Sequence, residues 1–256
     1  MQSGIPIIQI NGLNRLLGRA FSKKGGRTLK IKAVGDRGVL VELGEIIDEM
    51  VNRQVMELNR SIMDASIEGI TETVPAFCSV LVCYDPLITD YDVLSSRLEE
   101  LSKTVTSGKK SGGRLVKIPV CYGGESGPDL SFVAEHAGRK EREVIRIHSS
   151  RDYRIYMLGF LPGFPYLGGL DKRIHTPRLT TPRTKIPAGS VGIGGEQTGI
   201  YPMESPGGWQ LIGRTPLKLF DVKRAERPLY EAGDTIRFIP ITLEEYHKIR
   251  QEQEKR

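Results

Sequence analysis

Between residues 178 and 215 the chain concentrates side chains that can hold an anion. Arg178, Arg183 and Arg214 stand there with Gln197, Ser205, Thr215 and the single tryptophan, Trp209. A guanidinium matches a planar carboxylate or a phosphoryl group through paired N–H donors, and an indole can wall the pocket that receives it. The same region contains PAGSVGIGGEQTG (187–199), where Gly189, Ser190, Gly192, Gly194 and Gly195 bring backbone N–H groups close together. Such a run can cradle a phosphate without a side chain. It can equally be a set of tight turns that need positive φ.

Two phosphate motifs are directly testable, and both fail. A P-loop requires a lysine after its last glycine, and none follows Gly194 or Gly195. In a dinucleotide fingerprint counted from Gly192 the sixth position would be glycine but is Gln197, and Pro202 leaves no room for the following helix. Spacing alone therefore favours the turns. His148 ends a predicted helix, where it can serve as a general acid or base or simply face the helix C-terminus. No G-x-S-x-G elbow occurs. The four histidines and three cysteines show no ligand spacing, so no structural metal is expected. Unpaired cysteines fit a reducing compartment, the cytoplasm.

The elements that must position these groups fall into two blocks. LKIKAV (29–34) and GVLVEL (38–43) alternate like strands around a GDRG turn. Asp48 can cap a helix with Val51, Val55, Leu58 and Ile62 on one face, and Asp90 a second with Leu94, Leu98 and Leu101. With ITETV (70–74) and FCSVLVCY (77–84) the order is ββαββα, a small α/β sandwich over 29–105. TSGKKSGGR (106–114) has linker composition. A strand, LVKIPVCY (115–122), two short helices at 129–137 and 141–148, and the strand YRIYMLGF (153–160) then open a second domain, 115–256. Twelve of the 29 glycines lie between Gly159 and Gly213, and seven prolines recur from Pro162 to Pro206. Long helices do not survive that punctuation. The remaining short apolar strands, SVGIG, WQLIG, LKLF and TIRFIP, predict a closed or nearly closed β barrel. Thr242 and Glu245 form a capping box for a last helix, 243–252.

The net charge of +6 is local. Residues 1–28, read as a basic flexible extension, and Lys30 account for six basic residues with no acid among residues 1–30. The piece NRLLGRAF (14–21) also has the pattern of a short targeting helix. The rest is balanced, without the clustered surplus that gripping nucleic acid requires. No apolar run approaches the ~20 residues of a membrane span. Neither nucleic acid nor a membrane is an expected partner.

Longer motifs identify the chain further. IPVCYGGESGPDL (118–130), YRIYMLGFLPGFPYLGGLD (153–171), TPRLTTPRTKIPAGSVGIGGEQTGIYP (176–202) and SPGGWQLIGRTPLKLFD (205–221) closely resemble the 5-oxoprolinase B-subunit family. That family is also named allophanate hydrolase subunit 1 or Kip-type kinase inhibitor. VGDRGVLVELGE (34–45) and TETVPAFCSVLVCYDP (71–86) extend the resemblance over about residues 29–241. It implies an α+β fold, the small sandwich followed by a cyclophilin-like β barrel. It further implies work with a homologous C subunit and a separate A subunit, opening 5-oxoproline to L-glutamate with ATP and Mg²⁺. In that chemistry Arg183 and Arg214 would supply positive charge and His148 proton transfer. Gln197 and Ser205 would orient the lactam, and Arg178, Trp209 and Thr215 would line its pocket. The Gly189–Gly195 backbone would lie against phosphate. Glu196, Glu204 and Asp221 are oxygen donors for Mg²⁺ that spacing does not single out. The family also contains an inhibitor of a histidine kinase and relatives in urea-processing carboxyltransferases, so kinase inhibition and a urea-directed module are the competing functions.

Overall fold

The computed structural model describes residues 29–105, 113–224 and 229–255. The basic opening and most of the expected linker lie outside them. The first block forms β1 (Lys30–Val34), β2 (Gly38–Glu42), α1 (Glu49–Asp64), β3 (Ile70–Pro75), β4 (Ser79–Tyr84) and α2 (Tyr91–Thr104). The strands make an antiparallel sheet in the order β1-β2-β4-β3. Alternation places Val39, Val41, Val80 and Val82 on one face, where they meet Val55, Leu58 and Ile62 of α1 and Leu94 and Leu98 of α2 in a buried core. The caps form as expected. The Asp48 carboxylate accepts from Met50 N and Val51 N at 2.8 and 3.1 Å, and that of Asp90 from Val93 N at 2.9 Å, satisfying orphan donors of the first turns.

The second block runs β5 (Leu115–Tyr122), α3 (Leu130–His136), α4 (Glu141–Ser149), β6 (Asp152–Leu158), β7 (Pro165–Leu167), β8 (Arg183–Ile186), β9 (Ser190–Gly194), β10 (Gln197–Ile200), β11 (Ser205–Gly207), β12 (Gln210–Arg214), β13 (Thr235–Pro240) and α5 (Leu243–Glu254). Seven strands close a barrel in the order β10-β7-β6-β13-β5-β12-β9. β9 and β10 complete the ring as an antiparallel hairpin. The chain is thus a small sandwich followed by a closed barrel, the α+β arrangement expected. Two details differ. LKLF (217–220), expected as a strand, is irregular chain after β12, because Pro216 follows Thr215 at the barrel rim and ends the pairing. TIRFIP, as β13, pairs with β5 in parallel, a long-range registry that local alternation cannot reveal. β8 and β11 stand outside the barrel as a separate two-stranded ribbon.

His148 belongs to the barrel core. It is fully buried, stacked on Phe238 with ring centroids 4.6 Å apart. Its Nε2 lies 2.8 Å from Thr198 Oγ1, and its Nδ1 lies 2.8 Å from Tyr122 Oη. Thr198 spends its own proton on Gly192 O at 2.9 Å, so it accepts from His148. This fixes the proton on Nε2 and makes Tyr122 the donor to Nδ1. The ring is neutral, satisfied and sealed, and burial depresses its pKa from 6.5 to about 3. The expected acid–base role is therefore corrected to a structural one.

The blocks are joined by a buried amide. Asn52 of α1 is fully buried and directs Nδ2 at Tyr156 O of β6 (3.0 Å) and at Ala76 O and Phe77 O (both 3.3 Å). The Phe77 ring packs beside those of Tyr156 and Tyr166.

Two outcomes follow for stability. Between pH 6.5 and about 3 the unfolded chain protonates His148 while the folded chain does not. Stability should thus fall by about 1.4 kcal/mol per pH unit on acidification through that window. Urea midpoints of the wild type and His148→Gln, followed against pH, should show the steeper acid loss in the wild type; equal slopes would contradict the assignment. Asn52→Ala should cost about 1–3 kcal/mol, because it leaves buried carbonyls without a donor. A thermal or urea melt checks this, and an unchanged midpoint would count against the amide as the joint.

Candidate functional site

The glycine run is a floor for an aromatic ring. Gly192 and Gly194 lie inside β9, which pairs with β10 on one side and β12 on the other. A Cβ on Gly194 would stand 2.4 Å from Trp209 Nε1, and one on Gly192 would stand 3.2 Å from Trp209 Cβ. Gly199 of β10 would meet Trp209 Cζ3 at 3.0 Å and Phe164 Cζ at 3.1 Å. The absent side chains let the indole lie against the strands. Phe164 and Tyr201 pack edge-on around it, with Ile186 and Leu211 completing a small separate core.

The expected phosphate cradle is corrected by the same geometry. Gly189 N donates to Tyr201 O at 2.7 Å, Ser190 N to Pro187 O at 3.2 Å and Gly195 N to Thr176 O at 2.8 Å. These donors are already paired within the fold, so the run does not present a nest to an anion. Gly189 (φ 84°) and Gly195 (φ 69°) adopt left-handed turn conformations, as the turn reading requires.

Around Trp209 the expected side chains divide by role. Arg178 is exposed, its guanidinium carbon 5.7 Å from the indole centroid, within cation–π range. Gln197 opens β10 opposite Gly194 and is half-buried. Ser205 of β11 is buried, and its Oγ meets no hydrogen-bond partner. Arg183, expected to act on substrate, is instead a strut. Its Nη2 pairs with Asp129 Oδ1 at 2.7 Å and its Nη1 donates to Trp209 O at 3.4 Å. The second Asp129 oxygen accepts from Leu211 N at 2.6 Å. One carboxylate at the start of α3 thereby ties β8 to β12, and Arg183 is committed to it. Burial raises the Tyr201 phenol to about 12 and also raises that of Tyr166, so neither is a ready base.

Arg214 and Thr215 lie elsewhere. Trp209 precedes β12 and Arg214 ends it, which separates them by roughly 15 Å at strand rise. A small lactam cannot bridge that distance, so the expected single pocket is two places. Arg214 Nε donates to Ala188 O at 2.8 Å. Thr215 is buried and turned inward, its N donating to Gly189 O and its Oγ1 accepting from Leu217 N. Arg214 opens on a cleft of about 750 Å³ shared with Lys218, Lys223, Tyr246 and Arg250. Tyr246, Arg250 and Gln253, all of α5, line it at i, i+4 and i+7, a one-face helical spacing legible in the sequence but overlooked. Among the described residues no three His, Cys, Asp or Glu side chains gather to hold a metal. Glu204 pairs with Lys185 at 3.1 Å and Asp221 with Lys218 at 3.0 Å.

Comparison with known proteins places this architecture. The family described as carboxyltransferase domain, subdomain C and D, matches residues 29–230. A 5-oxoprolinase B subunit from Bacillus subtilis (strain 168) is 42% identical over 233 residues, spanning 87% of this chain and 97% of the relative. The protein of the same name from Haemophilus influenzae is 44% identical over 216 residues, spanning 84% of this chain and 100% of the relative. The crystal structure of a conserved uncharacterized protein from Pyrococcus horikoshii is 48% identical with a TM-score of 0.51, covering 84% of this chain and 99% of that one. The urea amidolyase of K. lactis superposes with a TM-score of 0.77 at 24% identity, over 93% of this chain and 16% of that one, a likeness of fold alone. With its sandwich, its closed barrel and near-complete alignment to these relatives, the chain belongs to the 5-oxoprolinase B-subunit family, within the carboxyltransferase subdomain C and D proteins.

Proposed function

We propose that this chain is the B subunit of an ATP-dependent 5-oxoprolinase that opens 5-oxoproline to L-glutamate together with the A and C subunits. The observation that carries the reading is the identity above 40% across nearly the whole length of relatives that bear that name. The site geometry supports a shared active centre. At the Trp209 rim this chain offers the exposed Arg178 cation over the edge of a largely buried indole, with half-buried Gln197 opposite Gly194, while the unpartnered Ser205 hydroxyl is sealed beneath the surface. Those groups suit a small ring bearing a carboxylate: Arg178 takes the carboxylate, Gln197 meets the amide, and the aromatic cluster excludes water.

What the rim lacks is equally informative. His148 is sealed in the barrel core away from the rim, and Arg183 is held by Asp129. A lactam amide resists water, so its opening needs an activated oxygen and a positioned base. ATP, as the second substrate, would phosphorylate the lactam oxygen with release of ADP; water then adds to the activated carbon, the C–N bond breaks as the nitrogen takes up a proton, and loss of phosphate leaves glutamate. Cations to steady that phosphoryl group at the rim would come from the partner proteins, because Arg178 is the one rim arginine without an acidic partner among the described residues. Glu196, Glu204 and Asp221 do not gather into a magnesium site, and two of them are engaged with lysines. The protein's own part is thus to seat and orient the lactam.

Co-expression with the A and C subunits should yield glutamate from 5-oxoproline only when ATP is supplied; failure to form ATP-dependent glutamate would overturn the reading. In that complex Arg178→Ala should raise KM for 5-oxoproline by about tenfold or more while leaving the melting temperature unchanged. Arg183→Ala should lower the melting temperature, because it leaves the largely buried Asp129 carboxylate without its ion-pair partner. The opposite assignment of the two effects would refute the division between substrate-holding and strut arginines.

A further inference from the structure

The end of the sandwich turned away from the barrel carries an apolar surface that the lactam reading does not use. Asn52 meets the barrel near the start of α1, and Ala65, at the other end of the helix, stands roughly 20 Å from it at helical rise. There the α1–β3 turn and the β4–α2 turn lie side by side. Asp85 N donates to Gly69 O at 2.8 Å. Gly69, at φ 90°, lets the two turns touch, because a Cβ on it would stand 2.8 Å from Thr89 Cγ2. An open groove of about 700 Å³ runs here, lined by Ala65, Ile67, Val93 and Leu94 among others. Met63, Leu87, Ile88 and Val93 at this end are all more than half exposed, Leu87 at 91%. We propose that this groove is the docking site of the chain's own N-terminal segment, residues 5–21, which lies across it as an intramolecular strap.

Unmet burial is the first argument. Monomeric proteins rarely leave several large apolar side chains exposed together, and each one that an occupant buries contributes about 1 kcal/mol or more. The groove therefore calls for an apolar occupant. Residues 5–21 supply one, with Ile5, Ile7, Ile8, Leu16, Leu17 and Phe21 within a short span.

Charge is the second. Residues 60–69 and 85–103 hold seven acidic and three basic side chains. The ion pairs Arg97–Glu100 and Lys103–Glu99 fall inside that count and leave its balance unchanged. Residues 1–28 hold five basic side chains and no acidic one. A cationic apolar segment complements such a surface. Two copies of the groove set face to face would instead oppose like charges.

Tether length is the third. Lys30 pairs with Glu42, and Glu42 with Ser79, so the chain enters β1 at the barrel end of the sheet, and α2 packs over that strand. The groove lies about one strand length away, roughly 17 Å. Phe21 stands eight residues before Leu29, a reach of up to about 28 Å when extended. On so short a tether the segment meets the groove at an effective concentration of about millimolar order, so weak contacts suffice. The matched family span begins at residue 29; the strap is added to the shared fold, and the proposal stands apart from the oxoprolinase reading.

The test is photocrosslinking within the full chain, with benzoylphenylalanine replacing Phe21 and, in a second variant, Leu17. Irradiation of a dilute sample should join these positions to peptides containing Met63–Gly69 or Leu87–Arg97 of the same molecule. Mixing isotope-labelled and unlabelled chains separates such contacts from those between copies. Glu68 and Val93 are exposed, and Glu68→Lys combined with Val93→Ser should reduce the yield about threefold or more. Amide exchange checks the same contact without a label: Leu87–Arg97 should exchange about threefold faster in Arg15→Glu/Arg19→Glu than in the wild type. Crosslinks confined to the barrel, crosslinks only between copies, or no crosslink from either position would overturn the proposal. So would a yield and an exchange rate that these substitutions leave unchanged.

Discussion

The aromatic end of the barrel depends on one close contact, an indole lying against strands that carry no side chains where it lies. Trp209 crosses Gly192, Gly194 and Gly199, and a β-carbon on Gly194 or Gly199 would collide with it. From that contact the neighbours follow. Phe164 and Tyr201 pack edge-on to the ring, and the β8–β11 ribbon lies over the cluster through Ile186. Arg183 reaches the Trp209 carbonyl and the Asp129 carboxylate that also receives Leu211 N. A small aromatic core outside the barrel proper thereby becomes rigid, and the exposed Arg178 lies over its indole.

Burial and pairing sort polar residues that look alike in a sequence. Arg178, Arg183 and Arg214 are three arginines within one loop-rich stretch, yet only the fold separates them. Arg183 has an acid within hydrogen-bond reach and serves as a strut; Arg178 rests on an aromatic face; Arg214 is oriented by a carbonyl and opens on a cleft that α5 also lines. Histidine gives the same lesson. At the end of α4, His148 could face solvent, but the helix carries it into the barrel, where Tyr122 and Thr198 meet both ring nitrogens. A histidine with both nitrogens satisfied in a dry core resists the proton that catalysis would require of it.

The two blocks are coupled through few groups. Asn52, Phe77, Tyr156 and Tyr166 form the seam between the sandwich sheet and the barrel wall, and Arg154 lies beside it with Nε 3.5 Å from Asn52 Oδ1. One amide whose two N–H protons are shared among three carbonyls is directional, so it sets orientation more than it adds energy. Tyr166, at the margin of the Trp209 cluster, also touches Phe77 of the sandwich.

The sequence by itself determined the local structure. Alternation and capping residues place the sandwich helices and strands, as Asp48, Asp90 and the Thr242–Glu245 box do in the fold. Glycine and proline density announces a barrel because long helices cannot form there. Family resemblance was legible in motifs that survive as rim and core segments. Tertiary structure alone decided what the polar groups are for. The parallel pairing of β5 with β13, the use of glycines as a floor and the arrival of Arg250 beside Arg214 all join residues far apart in the chain. Propensity and spacing act over a few residues, whereas burial, pairing and electrostatic focusing depend on which distant segments meet.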